Sequence, residues 1–414
     1  MLNHQFFHTF AVANTQTYMK LQRFFILSLT ALISVATHGQ LFHALGLGID
    51  KCERKGLFSQ PRMHVEGDIL YVCTNQGLYS KDLSQKESAW QLVGFKDIPL
   101  QDYVRKGADM IALRYNIDGC FLLLTHDGGK TYEDVTPDIF EGSQGMWNVL
   151  ANLVQHPTDP NTLLVLSTAF GIFQSLDFGQ NWKQLADCSL GNSTAAFIGY
   201  HPQNPEIIYN SGEDGIFSPK INISYDGGET WNVLSPNFPG DNCVHRIAFH
   251  PTQSVRWIVG GEGVVYTSSD NGHSWETQNY WGDTQRAAYW YFTEYDNENS
   301  EIVYIAGISD DYIKVMCSTD GGNTWSLPQT NPIKKISREF VNDLCQYGNK
   351  LLIYTESDVY EILKSELLAQ ALPVRNVTTA TSEESSESYD LSGRLLSAPP
   401  VHGVYIRDGK KVVR

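Results

Sequence analysis

The chain lacks the paired ligands that usually announce a metal or redox centre. Its seven cysteines contain no Cys-x-x-Cys, so neither a zinc knuckle nor a dithiol redox motif is indicated, and no cofactor or metal is expected. Basic residues are scarce. Thirty Lys+Arg against 46 Asp+Glu leave a net charge of −16, which repels phosphates and argues against a nucleic-acid partner. An odd cysteine count leaves at least one thiol outside any intrachain disulfide. Cys73, Cys120, Cys317 and Cys345 fall on or beside expected strands and read as buried fillers. Cys188 and Cys243 sit in loops entering neighbouring units, and only geometry can pair them.

Long apolar runs are also missing, with one exception. Met19-Lys-Leu-Gln-Arg-Phe-Phe-Ile-Leu-Ser-Leu-Thr-Ala-Leu-Ile-Ser-Val-Ala-Thr-His-Gly39 has a basic start, an apolar run and small residues near its end. This is the pattern of a secretory signal, so residues 1–39 read as a signal peptide with Met19 as an alternative start. An anchor helix is the competing reading, but no second span follows and the mature chain is expected to have none. The expected location is secreted or cell-surface.

What is abundant is a repeat. Thr125-His-Asp-Gly-Gly-Lys-Thr-Tyr132, Ser175-Leu-Asp-Phe-Gly-Gln-Asn-Trp182, Ser224-Tyr-Asp-Gly-Gly-Glu-Thr-Trp231, Ser268-Ser-Asp-Asn-Gly-His-Ser-Trp275 and Ser318-Thr-Asp-Gly-Gly-Asn-Thr-Trp325 share one wording. Their aspartates, Asp127, Asp177, Asp226, Asp270 and Asp320, are 50, 49, 44 and 50 residues apart, a period that means a repeat architecture. Each copy has turn chemistry. The Asp accepts backbone N–H groups about two residues on, Gly supplies a positive φ, and the aromatic begins the next strand. The aspartates therefore read as turn staples rather than catalytic acids. A degenerate sixth copy runs through Tyr79-Ser-Lys-Asp82, with Trp90 as its displaced aromatic.

These five copies resemble the Asp-box repeats of sialidases, xyloglucanase-type glycoside hydrolases and the sortilin propeller. The resemblance implies a box between the third and fourth strands of each blade, on the face away from the ligand site. Alternating apolar patterns around the boxes give seven inner strands, in units near 60–93, 101–136, 147–185, 194–235, 243–276, 286–328 and 340–363. The expected fold is all-β, a single seven-bladed propeller over residues 40–372 with four-stranded antiparallel blades. Six blades is the alternative if the first or last unit is irregular. The last unit has three strands and no box, so a segment near Phe42–Asp50 is expected to supply its outer strand and close the ring. His156-Pro157, His201-Pro202 and His250-Pro251 each follow an inner strand. They read as turn markers, because histidines of different blades lie too far apart to share an ion.

Residues 373–388 are polar and read as a linker. Beyond it, Tyr389, Gly393-Arg394, Gly403-Val404-Tyr405 and Gly409-Lys410-Lys411 resemble the C-terminal sorting domain of the type IX secretion pathway of Bacteroidetes. The resemblance implies that residues 389–414, a short β appendage, are an address read by that export machinery.

The boxes direct the search for a site to the opposite face, where inner strands begin. Arg62, Asp102, Trp147, His245, Arg246, Arg286, Arg338 and Glu339 converge there. Arginine forks suit an anionic ligand, and Trp281, on a Gly-Asp loop, offers a ring for a sugar to stack on. Trp290, inside a strand, reads as packing. Three functions stand. The leading one is non-catalytic binding of a glycan or acidic polymer. The second is a glycoside hydrolase or lyase using Glu339, Asp283 or Glu262 as acid and base. The third is a sortilin-like interaction scaffold. No Arg-Ile-Pro motif precedes the first blade, and the two-propeller cleft of the xyloglucanase type has no room in this chain.

Overall fold

The computed structural model describes residues 41–53, 60–116, 119–138, 150–190, 196–213, 219–234, 244–279, 288–328, 333–334 and 340–373, with short C-terminal strands within 388–413. Seven antiparallel blades form a ring. Their inner strands are Met63–Glu66, Leu100–Lys106, Leu150–Gln155, Phe197–His201, Val244–Phe249, Tyr289–Tyr295 and Val341–Tyr347 for blades 1 to 7. Neighbouring blades touch in sequence order, and blade 7 returns to blade 1. The count is seven, not six.

Closure uses the N-terminal segment as expected. His43–Ala44 pairs antiparallel with Val359–Leu363 as the fourth strand of blade 7. Two further bonds hold this latch: Leu45 N–H donates to the Val359 carbonyl and Leu47 N–H to the Asp358 carboxylate, at 2.8 and 2.9 Å. Trp90 of blade 1 donates to the Leu45 carbonyl at 2.9 Å. The latch thus ties the last blade to the first and removes a free sheet edge.

Blade 6 is wider than its repeat. The helix Lys364–Gln370 leaves blade 7 and delivers Ala371–Pro373 to the outer edge of blade 6, beside Ser326–Pro328. Lys364 and Asp296 form a buried ion pair at 2.8 Å that fixes the start of this helix. The C-terminal strands Leu395–Leu396, Ser388–Tyr389, Val404–Arg407 and Lys410–Val413 form a small sheet of their own, in that order.

The core is the set of interfaces between blades. Strand alternation points one row of side chains at each neighbour, so Ile111, Leu113, Leu122, Leu153, Val165 and Phe173 close blade 2 on blade 3. Trp257, Trp290 and Trp325 are buried in the same way, each contributing about 1.5–3 kcal/mol or more of apolar burial. Trp290 is therefore packing. Cys73, Cys120 and Cys317 are buried, whereas Cys345 is half-buried.

The five repeated turns share one hydrogen-bond scheme. The Ser/Thr hydroxyl donates to Oδ1 of the Asp at 2.7–2.9 Å. The same hydroxyl accepts the N–H of the Gly four residues on, at 2.7–3.0 Å. The Asp in turn accepts the N–H four residues beyond itself, at 2.8–2.9 Å. The hydroxyl, not the carboxylate, therefore serves the nearer amides, and the carboxylate reaches further than expected. Both oxygens of each Asp are engaged. The Thr131 N–H bond leads in holding the Asp127 carboxyl down at about 2, and the Thr230 hydroxyl leads at Asp226, also about 2.

The His-Pro turns follow a similar logic. Nδ1 of His156, His201 and His250 accepts two backbone N–H groups of the following turn. In blade 6 Asp296 takes that place, accepting from Glu298 and Asn299. These histidines are turn staples in separate blades, and among the described residues no cluster of His, Cys, Asp and Glu could hold a metal ion.

Candidate channel site

One position repeats around the channel. Counting four residues back from His156, His201 and His250, and from the matching residues of the other blades, gives Arg62, Asp102, Asn152, Phe197, Arg246, Phe292 and Asp343. An irregularity in the inner-strand register falls at or next to this position in blades 2, 3, 5, 6 and 7. Such bulges turn a side chain out of the ladder and into the channel.

Three members of this ring staple their own blade to the next. Asp102 accepts the Leu153 N–H at 2.9 Å, Asn152 the Ile198 N–H at 2.9 Å, and Asp343 the Met63 N–H at 3.1 Å. The donor is always one residue after the ring position of its own blade. Arg62 crosses the channel. Its guanidinium lies 4.6 Å from the Phe197 ring centre and 5.3 Å from that of Phe292, and it donates to the Asn342 carbonyl at 3.2 Å. It is 5% exposed, so it plugs the channel rather than lining a surface. Burial lowers its pKa against the pull of Asp343 and Asp102.

Below this plug a cavity of about 730 Å³ opens. Its walls include the ends of inner strands, from Glu66 and Arg105 to Gln155 and Gln346. In an antiparallel blade the end of the first strand and the turn from third to fourth strand lie on one face. The cavity therefore opens toward the repeated turns, not away from them. Its charged groups are mutually engaged. Arg246 pairs with Glu294 at 2.6 Å and Asp343 at 3.3 Å. Arg105 pairs with Glu66 at 2.9 Å. His64 Nε2 meets Asp102 at 2.9 Å. Burial works against a charged His64, but the Asp102 bond and charge outweigh it and the pKa is raised. Burial raises Glu294 despite Arg246.

The expected site residues divide into two groups. Arg62, Asp102 and Arg246 come together at the cavity. His245 does not: it is fully buried between the Phe197 and Tyr291 rings, at 6.4 and 4.6 Å, and burial pushes its pKa down to about 3. Glu262 bridges to Tyr289 at the rim opposite the repeated turns, where burial raises its pKa. Trp147, Trp281, Asp283, Arg286, Arg338 and Glu339 lie outside the described residues, as do the signal segment and Cys243. Cys188 pairs with no cysteine among the described residues. Sequence reasoning assigned no role to Asn152, Glu294 or Asp343, and passed over His64. The fixed offset from the His-Pro turns was the signal that could have found the ring. Among the described residues, no helix is long and apolar enough to cross a membrane.

Residues 219–380 match the family described as Sortilin-Vps10 (sortilin, neurotensin receptor 3). No curated protein matches the chain. Among solved structures, the GH74 xyloglucanase from Xanthomonas campestris is similar at 16% identity and a TM-score of 0.57, over 77% of this chain and 53% of that one. The chain thus spans about half the length of that enzyme. YCF48 from Cyanidioschyzon merolae is similar at 11% identity and a TM-score of 0.51, over 74% and 97%. The extracellular domain of BT4673, a hybrid two-component system of B. thetaiotaomicron, is similar at 11% identity and a TM-score of 0.53, over 78% and 40%. At these identities the likeness is one of fold.

Proposed function

We propose that this chain is an exported propeller that binds an extracellular ligand without transforming it. The observation behind this reading is the state of the channel carboxylates. Asp102 and Asp343 each hold backbone amides of the next blade, and Glu294 is paired with Arg246. A glycosidase needs one carboxyl to give a proton and another to attack or activate water, and these groups are committed to holding blades together. Of the three acid/base candidates only Glu262 lies among the described residues, bridged to Tyr289.

The ligand we favour is a glycan or acidic polymer held by the loops opposite the repeated turns. With Arg62 and Arg246 spent inside the channel, the gripping cations are Arg286 and Arg338, with Trp281 as the stacking ring. A peptide held by the propeller is the second reading, favoured by the sortilin match over residues 219–380. Export through the N-terminal signal and the type IX-like tail belongs to the same proposal.

The test is a glycan array and a peptide array probed with the purified chain, followed by reducing-end assays on every glycan bound. Binding without release of new ends supports the proposal. Turnover lost in Glu339→Gln would overturn it in favour of the hydrolase. Acidic-glycan binding should fall at least tenfold in Arg286→Ala/Arg338→Ala; unchanged binding removes those residues from the site.

A further inference from the structure

The junction of blades 5 and 6 differs from its neighbours in the fate of its polar groups. In the boxes of blades 3, 4 and 5 the Trp Nε1–H donates to the Gly carbonyl three residues back, at 3.0 Å. In the blade 6 box the Gly322 carbonyl accepts instead from Gln278 at 3.2 Å, and the buried Trp325 Nε1–H has no acceptor among the described residues. The Tyr295 hydroxyl, on a side chain 8% exposed, also has no partner among the described residues. Tyr295 and Trp325 belong to one packed cluster.

A third orphan joins them. His250 packs its ring 5.0 Å from that of Tyr295 and is fully buried. Its Nδ1 accepts the N–H groups of Thr252 and Gln253, so the neutral ring carries its proton on Nε2. That N–H has no acceptor among the described residues either. At the neighbouring junction the equivalent His201 Nε2 reaches the Ser254 carbonyl at 3.0 Å. Leaving a buried donor unmade is unfavourable, and three at one junction are unusual.

Tyr295 lines a polar cavity of about 210 Å³ together with Arg256, Ser274, Asn323 and Glu276. The Arg256 guanidinium donates to the Gly321 carbonyl at 3.0 Å. It lies so close over Gly321 that a Cβ there would stand 2.5 Å from Nη2 and 3.0 Å from Oε2 of Glu301. The junction therefore offers several donors, one of them cationic, and meets Glu276 and Glu301 at its rim.

We propose that this junction binds a small oxyanion, a monovalent carboxylate, which accepts from Arg256 and the Tyr295 hydroxyl. The volume admits a ligand of a few heavy atoms plus water. The two rim glutamates disfavour a dianion, which is why a carboxylate fits better than sulfate. The site lies on the face of the repeated turns, away from the loops invoked for the extracellular ligand, so the two proposals stand or fall separately.

The test is calorimetric titration of the full chain with sodium acetate, against sodium chloride at equal ionic strength, with sodium sulfate as a second arm. Intrinsic tryptophan fluorescence is followed in parallel. Saturable acetate binding is expected, about tenfold weaker in Tyr295→Phe and lost in Arg256→Met, with near-wild-type melting for Tyr295→Phe. Acetate heats equal to chloride would overturn the proposal, as would unchanged binding in both variants. Tighter binding of sulfate overturns the carboxylate assignment. A crystal structure grown in acetate that holds only water in this cavity overturns it too.

Discussion

Replacing Asp343 with Ala asks how much of the ring is held by its channel staples. Asp343 is 3% exposed. Its carboxylate accepts the Met63 N–H of blade 1 at 3.1 Å, the Leu344 N–H at 2.9 Å and Arg246 Nη1 at 3.3 Å. Alanine leaves two buried backbone donors without this acceptor and weakens the neutralisation of a half-buried cation. Each orphaned amide costs about 1–3 kcal/mol, and breaking a buried ion pair from one side costs about 3–5 kcal/mol. Arg246 keeps Glu294 at 2.6 Å, so the total should be about 4 kcal/mol rather than the sum. A propeller of roughly 330 residues unfolds with an entropy near 0.7 kcal/mol/K, so the melting temperature should fall by about 6 °C. Asn152→Ala removes a neutral version of the same staple, whose Oδ1 and Nδ2 both engage Ile198, at 2.9 and 3.0 Å. It should cost about half as much. Thermal melts at pH 7 read both. Shifts below 2 °C in both variants would refute the idea that these side chains join the blades.

His245 is held neutral by burial, with its pKa pushed down to about 3, whereas an unfolded His titrates near 6.5. Between these values the unfolded chain binds a proton that the fold refuses. Stability should therefore fall as pH drops below about 6.5, by up to about 1.4 kcal/mol per pH unit, and His245→Leu should flatten that slope in urea melts from pH 7 to 4. Asp226 has the opposite chemistry but the same direction: its folded pKa is about 2, below the unfolded value near 3.9. Its contribution is complete above about pH 4 and lost toward pH 2, so Asp226→Asn should melt with a shallower pH dependence in that window. Gly94→Ala places a Cβ 2.1 Å from the Gly128 carbonyl and 2.9 Å from the Gly129 Cα. Backbone cannot swing aside as a side chain can, so the variant should lose about 3 kcal/mol or more, seen as a lower melting temperature or insoluble expression.

The blade count was readable because turn chemistry recurs. Each box combines a hydroxyl, a carboxylate, a positive-φ position and an aromatic, four constraints that random sequence rarely meets together. The latch was readable for a different reason: the last unit had three strands, and an open edge demands a partner. The channel was harder to read. Its ring holds Arg, Asp, Asn, Phe, Arg, Phe and Asp at equivalent places, so no composition repeats there, only a position. Arg62 and Arg246 looked like free cations because a sequence shows charge without showing partners. The partners, Asn342, Asp343 and Glu294, arrive from blades up to 280 residues away in the chain.

The same fact bears on what the channel can bind. A ring position filled with hydrophobic residues would close the propeller by packing and leave nothing to recognise a ligand. Here two arginines, two aspartates and an asparagine perform closure, each at the cost of its own availability. The half-exposed groups below them, His64, Glu66 and Arg105, retain part of their surface in the cavity. His64 carries the strongest claim to respond to a ligand or to pH. Its Asp102 partner is fixed by the Leu153 and Tyr103 amides and cannot follow it if the ring turns. A ligand that draws His64 away from Asp102 must therefore break a 2.9 Å bond without relief elsewhere. That makes the blade 1 to blade 2 wall the stiff side of the cavity and leaves adaptation to the apolar side, where Val154 and Pro157 of blade 3 face it.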